Sequence, residues 1–246
     1  MFFRKKFPKI ATGYGFKQEG GTKFIIVAPH AGGDDWKTKR ASTLIARELN
    51  AYLIVNNKFF KPTSPKSKNF PNNIEDFNKL RWSDKQNKYL WARKKPEMKE
   101  FYQDIRAYRR IIKREDGETP VAIYIHGIKS KKIGIDIGVG IKAKNEKKFL
   151  DKNKNNGTNS GLITIKISQL KKLKELLNAK MKDMALRVTV GDRHIGWSKC
   201  SAIQFHKHRK RNDLALQLEL NRFLRQKKNI KLTSKIISQA IKATFQ

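Results

Sequence analysis

Phe24-Ile-Ile-Val-Ala-Pro-His30-Ala-Gly-Gly-Asp34-Asp35 reads as a buried strand that ends on a group of polar side chains. Residues 23–28 are short, apolar and β-branched, and Pro29 closes the run because it has no N–H to give to a sheet ladder. His30 follows at once. Gly32 and Gly33 allow a sharp turn, and two carboxylates come next. A second apolar run, Val121-Ala-Ile-Tyr-Ile-His126-Gly127, delivers another histidine to its end. Two imidazoles and an acid form the donor set of a His/carboxylate/His zinc site, which keeps one position open for water. That set points to metal-assisted hydrolysis. The five-residue step from His30 to Asp35 exceeds the spacing that brings side chains together on a helix, so the glycine turn must bring the acid round. Asp34 is the rival ligand.

Outward from this stretch, Thr38 to Asn50 reads as a helix with Leu44, Ile45 and Leu49 on one face. Ala51 to Val55 is a second strand, and a β–α–β unit of this length implies parallel pairing. Residues 56–85 are polar and irregular, with Pro62, Pro65 and Pro71; long loops in compact domains are usually functional or disordered. Glu97 to Arg114 is a helix with Phe101, Ile105, Tyr108 and Ile112 at helical spacing. Pro120 to Ile125 and Ile133 to Val139 are strands, and Asn145 to Asn159 is an exposed lysine- and asparagine-rich loop. Ser168 is expected to cap a helix striped by Leu170, Leu173, Leu176 and Leu177. Leu186 to Val190 is a strand before the turn Gly191-Asp192. Leu214 to Leu220 alternates with period two, leucines on one face and Ala215, Gln217 and Glu219 on the other, so it too is a strand. Thr233 to Thr244 is the last helix. The alternation predicts an α/β class: one domain over residues 1–246, with a mixed, mostly parallel sheet and helices on both faces.

Composition narrows the function classes. Of 246 residues, 38% are hydrophobic and 10% aromatic, enough for a sizeable core and too many for disorder throughout. Lys+Arg number 56 against 21 Asp+Glu, giving a net charge of +35. That balance favours polyanionic surroundings, although no single block holds the charge and a solvated basic surface accounts for much of it. Cys200 is the only cysteine, which excludes an internal disulfide and a thiolate zinc site. Met1 to Pro8 carries basic residues without an apolar stretch of signal-peptide length, and no run approaches the ~20 apolar residues of a membrane span. The expected location is the cytoplasm, with no membrane span.

Further candidates surround the two histidines. Glu219 lies on the polar face of its strand, where a carboxylate can take the proton of an attacking water; a salt bridge to Arg222 or Arg225 is the structural alternative. Asp76-Phe-Asn78-Lys79, with Arg81 close behind, offers an amide and cations for a substrate carboxylate, or simply an Asx turn. Arg106, Arg109 and Arg110 share a helix and are expected at its surface, from where one of them could also neutralise an acidic substrate. His206-Lys-His208-Arg-Lys-Arg211 reads as a polyanion patch or a solvated loop. A non-enzymatic nucleic-acid-binding protein using this charge and exposed Trp82 and Trp91 is the alternative from another class.

The motifs together resemble a known family. Ala-Pro-His30-Ala-Gly-Gly-Asp-Asp35, followed by Leu44-Ile45-Ala46, is similar to the opening motif of N-formylglutamate amidohydrolase-like proteins and the related phage poly-γ-glutamate hydrolases, which have the zinc carboxypeptidase-like fold. Ile-Tyr-Ile-His126-Gly127 and Gly134-Ile-Asp136-Ile-Gly138 resemble two further family segments, and Gln217-Leu-Glu219 resembles the Gln-x-Glu near its C-terminal end. The resemblance covers residues 23–225. It implies Zn2+ held by His30, Asp35 and His126, with Glu219 as general base. It also implies a substrate carboxylate bound at Asn78 and Lys79, where Asp76-Phe-Asn78-Lys79 is similar to an Asp-Leu-Asn-Arg segment. Three positions depart from the pattern. Asp35 stands for the usual glutamate, Lys79 replaces an arginine and loses its bidentate fork, and Tyr124 stands where an acid is frequent. The implied substrate is a small acidic amide, or an anionic peptide-like polymer such as poly-γ-glutamate or cell-wall peptide.

Overall fold

The computed structural model describes residues 7–33, 35–91, 94–141, 163–196, 198–207 and 213–246. Its strands in chain order are β1 (Lys9–Ala11), β2 (Gly15–Gln18), β3 (Phe24–Ala28), β4 (Tyr52–Asn56), β5 (Trp82–Ser83) and β6 (Lys88–Tyr89). They continue with β7 (Val121–Ile128), β8 (Ile133–Gly138), β9 (Arg187–Val190) and β10 (Leu214–Asn221). The helices are α1 (Thr38–Leu49), α2 (Pro96–Glu115), α3 (Ile167–Met181) and α4 (Ile230–Phe245).

Eight strands form one mixed sheet in the order β1-β2-β4-β3-β7-β10-β8-β9. The pairings β4–β3, β3–β7, β7–β10 and β8–β9 are parallel, and the others are antiparallel. Parallel strands buried on both faces need continuous apolar runs, and β3 and β4 are buried at every position. Alternate side chains feed two cores. Phe24, Ile26 and Ala28 of β3 pack toward α1, α3 and α4, together with Leu216, Leu218 and Leu220 of β10. Ile25 and Val27 pack toward α2, with Phe101, Ile105, Tyr124 and Ala215. Helices therefore cover both faces, as the alternating pattern predicts.

Several details differ from the sequence reading. β1 and β2 escape it because Lys9 and Lys17 interrupt their apolar pattern; β1 is an exposed edge strand, the position where lysine is tolerated best. β4 runs one residue later than expected, at Tyr52–Asn56. α3 starts at Ile167 with Lys166 before it, so Ser168 sits inside the first turn and is not the cap. Trp82 and Trp91 are half-buried against the α2-side core instead of exposed. Asn145 to Asn159 lies outside the described residues. No described helix is long and apolar enough to cross a membrane.

Candidate metal centre

The face of the sheet beneath α2 changes character along its strands. Ala122 and Tyr124 of β7 are followed two positions on by His126. In β10, Ala215 gives way to Gln217 and Glu219. The parallel register aligns the two series, with Glu219 beside His126 and Gln217 beside Tyr124. Polar groups thus gather at the carboxyl ends of the strands, where α/β sheets place their sites.

The turn after β3 brings the acid back as its glycines suggest. The Asp35 N–H donates to the His30 carbonyl at 3.3 Å, and the Asp35 carbonyl accepts from the Thr38 hydroxyl at 2.7 Å as α1 begins. Asn56, at the end of β4, donates to the Pro29 carbonyl at 2.7 Å and fixes the exit of β3. Arg225 donates through Nε to the Leu220 carbonyl at 3.0 Å and through Nη1 to the Trp36 carbonyl, tying the residue after Asp35 to the end of β10. The guanidinium passes directly over Gly127, where an added Cβ would lie 2.6 Å from its carbon.

These constraints converge three donors. His30 Nδ1 lies 3.3 Å and His126 Nδ1 3.1 Å from the same oxygen, Asp35 Oδ2, with the ring centroids 5.0 Å apart. All three residues are buried, and one ligand atom from each falls within 4.8 Å of the others. Among the described residues this is the only such group. Asp34 lies outside the described residues. The far nitrogen of His30, Nε2, meets Asp76 Oδ1 at 2.9 Å. A carboxylate on the outer nitrogen of an imidazole is the usual support of a metal-binding histidine, because it fixes the tautomer that leaves the inner nitrogen free to ligate. His30 Nδ1 has no hydrogen-bond partner among the described residues. Two imidazoles, one carboxylate and that outer support fit a divalent metal of the zinc type.

Electrostatics follows the same geometry. Burial works against ionisation of Asp35, but the flanking histidines win and hold its carboxyl far below the usual range. Burial likewise opposes the shift at Asp76, whose carboxyl is nevertheless brought down to about 2 by the His30 hydrogen bond. His126 is pushed down to about 4 by burial, only partly offset by Asp35. His30 rises despite its burial, since two carboxylates flank it. Lys61 Nζ donates to Asp35 Oδ1 at 3.3 Å and places a positive charge at the rim.

Glu219 is buried, and burial followed by the nearby Asp35 charge raises its carboxyl well above the ordinary range. His194 Nδ1 lies 4.0 Å from its Oε1. Arg225 makes no salt bridge to it, being engaged with backbone carbonyls, and Arg222 lies over the Trp36 ring. Opposite Glu219, on β8, Asp136 accepts from the Thr189 hydroxyl at 2.8 Å and from the N–H groups of Asp192, Arg193 and His194 at 3.1, 2.8 and 3.1 Å. One buried carboxylate therefore shapes the loop that carries Arg193 and His194 to the site.

Several solved structures share this architecture. N-formylglutamate amidohydrolase from Ralstonia eutropha JMP134 superposes with a TM-score of 0.52 at 10% identity, over 96% of this chain and 98% of that one. A metallo-carboxypeptidase from Burkholderia cenocepacia gives 0.51 at 12% identity, over 97% and 64%. A gene product of Agrobacterium tumefaciens gives 0.52 at 10% identity, over 91% of each chain. The fold is carboxypeptidase-like. No family model matches the sequence, and no curated protein does either.

Within the carboxypeptidase-like fold the remaining candidates separate. Asn78 and Lys79 line a cavity beside the triad together with Asp76, Arg193, His194 and Gln217. Arg81 lines a different cavity with Lys94 and Glu75, which Lys79 and Asp76 also border. The Asx turn exists as well: the Asn78 N–H donates to Asp76 Oδ1 at 3.0 Å, so one oxygen serves both the turn and His30. Arg109 is not at the surface. It is buried and ion-paired to the fully buried Asp213, whose other oxygen takes Lys113 at 2.7 Å. His206 is not in a solvated loop either. It is fully buried in the turn Ala202–His206 and meets the Tyr124 hydroxyl at 2.9 Å, while residues 208–212 lie outside the described residues. The Tyr124 hydroxyl is therefore engaged by His206. Sequence reasoning missed Arg193 and His194, the backbone contacts that Asp136 makes to their loop, and the pairing of Asp76 with His30, all of which join residues distant in the chain.

Proposed function

We propose that this chain is a zinc-dependent amide hydrolase resembling N-formylglutamate amidohydrolase. The carrying observation is the convergence of two Nδ1 atoms on one Asp35 oxygen, with Asp76 behind His30. His30, Asp35 and His126 would hold the ion. Bound there, zinc would supply Lewis-acid polarisation of the amide carbonyl and acidify an attacking water. Glu219 is the base within reach. Burial raises its carboxyl well above the ordinary range, and a divalent charge nearby would favour the ionised form that can accept a proton. Glu219 takes a proton from water as the new C–O bond forms, and returns it to the amide nitrogen as the C–N bond breaks, leaving a carboxylate and an amine. Lys79 and Arg193 line the adjoining cavity, and their charge suits the carboxylate of an acidic substrate.

The net charge of +35 supports an anionic peptide-like polymer as the substrate alternative to a single small acid. The test measures bound metal in the purified wild type, His30→Ala and His126→Ala proteins, then hydrolysis of N-formylglutamate and of poly-γ-glutamate. Stoichiometric zinc in the wild type and its loss in both variants is the expected result. Zinc retained by both variants removes the assignment. A rate on the polymer that falls steeply with salt, beside a small-substrate rate that does not, favours the polymer.

A further inference from the structure

The cavity beside the triad has a volume of about 340 Å³, and among the described residues that line it Gln217 alone is fully buried. Its carboxamide is locked. Nε2 donates to the His194 carbonyl at 2.7 Å, and the His194 N–H is itself held by Asp136 at 3.1 Å. Gly138 closes in from β8: an added Cβ there would lie 2.3 Å from the His194 oxygen and 2.6 Å from Gln217 Cγ. Turning the amide over would set its oxygen against the His194 carbonyl oxygen, so the orientation follows from the hydrogen bond and not from convention. Gln217 Oε1 is consequently a fixed acceptor, and it has no partner among the described residues. A buried acceptor without a donor costs free energy, which a ligand supplying the donor recovers.

Position and charge narrow the ligand. Gln217 precedes Glu219 by two residues on the same strand face, which places it roughly 7 Å from the candidate base, about one side chain away from a scissile bond. Lys79 and Arg193 on the same lining attract a carboxylate and disfavour an ammonium group. A carboxylate directly at Gln217 would set acceptor against acceptor. The remaining match is a neutral N–H donor.

We propose that Gln217 is a specificity-determining residue whose Oε1 accepts an N–H from a carboxamide-ended side chain. Lys79 and Arg193 hold the main-chain carboxylate of that same substrate residue. The inference rests on the amide-hydrolase reading and sharpens it. The substrate residue is glutamine-like, with the acidic group on its main chain.

The test separates the two readings. N-formylglutamine, N-formylglutamate and N-formylnorleucine are titrated calorimetrically into the zinc-loaded Glu219→Gln protein, and turnover of the same three is followed with the wild type. Binding of N-formylglutamine about tenfold tighter than the other two is expected, because all three carry the formamide N–H but only its side chain ends in an N–H donor. In Glu219→Gln/Gln217→Met this preference should shrink to within about twofold, since the thioether cannot accept a comparable bond. Tighter binding of N-formylglutamate, no binding of any probe, a preference that survives Gln217→Met, or equal weakening of all three probes would each overturn the proposal, the last by showing a merely structural role. Selective binding without wild-type turnover would sink the hydrolase reading and leave the recognition role standing.

Discussion

Replacing Asp76 with alanine should weaken zinc binding by 10- to 100-fold while leaving all three proposed ligands in place. Asp76 reaches the proposed ligands through His30, by the 2.9 Å contact to Nε2. Its carboxyl falls from an ordinary 3.8 to about 2 even though burial pushes the other way, which corresponds to about 2 kcal/mol of interaction with its surroundings. His30 is the largest source of that stabilisation. A loss of about 2 kcal/mol is about thirtyfold in affinity, within the roughly 10- to 100-fold typical when the carboxylate behind a metal-binding histidine is removed. Asp76→Asn keeps an oxygen for His30 and for the Asn78 N–H, so it should lose less. The assay is competition for zinc against a chromogenic chelator, with thermal unfolding of the apo proteins as a control. Wild-type affinity in a folded Asp76→Ala protein would refute the reasoning.

Asp213→Ala leaves Arg109 buried beside an empty place and should cost about 3–5 kcal/mol in urea unfolding, more than an exposed ion pair could account for. Glu219→Gln should keep the wild-type zinc content and lower the hydrolytic rate by about 10²–10⁴-fold, seen in parallel metal and turnover measurements. Asp136→Ala strips the acceptor from three backbone N–H groups and should raise KM, with susceptibility to proteolysis appearing at residues 192–194. Because the Asp76 carboxyl is depressed in the folded state, its contribution to stability is complete above its ordinary pKa. That contribution is lost as pH falls through the folded value, so the stability gap between wild type and Asp76→Asn should close between about pH 4 and pH 2.

The triad was legible because its signals are local. Each histidine follows an apolar run in the chain, and buried parallel strands must end where such runs end. The glycine turn announces an acid beside His30 for the same reason, with Asp34 and Asp35 both open as the choice. What stayed hidden was set by tertiary proximity. Asp76 lies 46 residues from His30, and nothing in Asp-Phe-Asn-Lys distinguishes a support for an imidazole from a turn; the structure makes it both. Asp136 stands out in its motif, but nothing in an apolar strand says that its acid organises a loop 56 to 58 residues away. His206 belongs to a run of charged neighbours, and composition averages such a run into solvent although its first residue is fully buried. The edge strand β1 escapes the sequence for a related reason, since it has no apolar face to announce it.

The packing of Arg225 over Gly127 gives the His-Gly pair two separate origins. The first residue answers to the proposed ion and the second to the bulk of a guanidinium. A methyl group at position 127 would crowd that guanidinium and require it to shift, disturbing its bond to the Trp36 carbonyl with no proposed ligand altered. Position 127 is thus tied to a cation that bonds only to backbone carbonyls, so a change there reaches Trp36, the neighbour of Asp35, through a guanidinium.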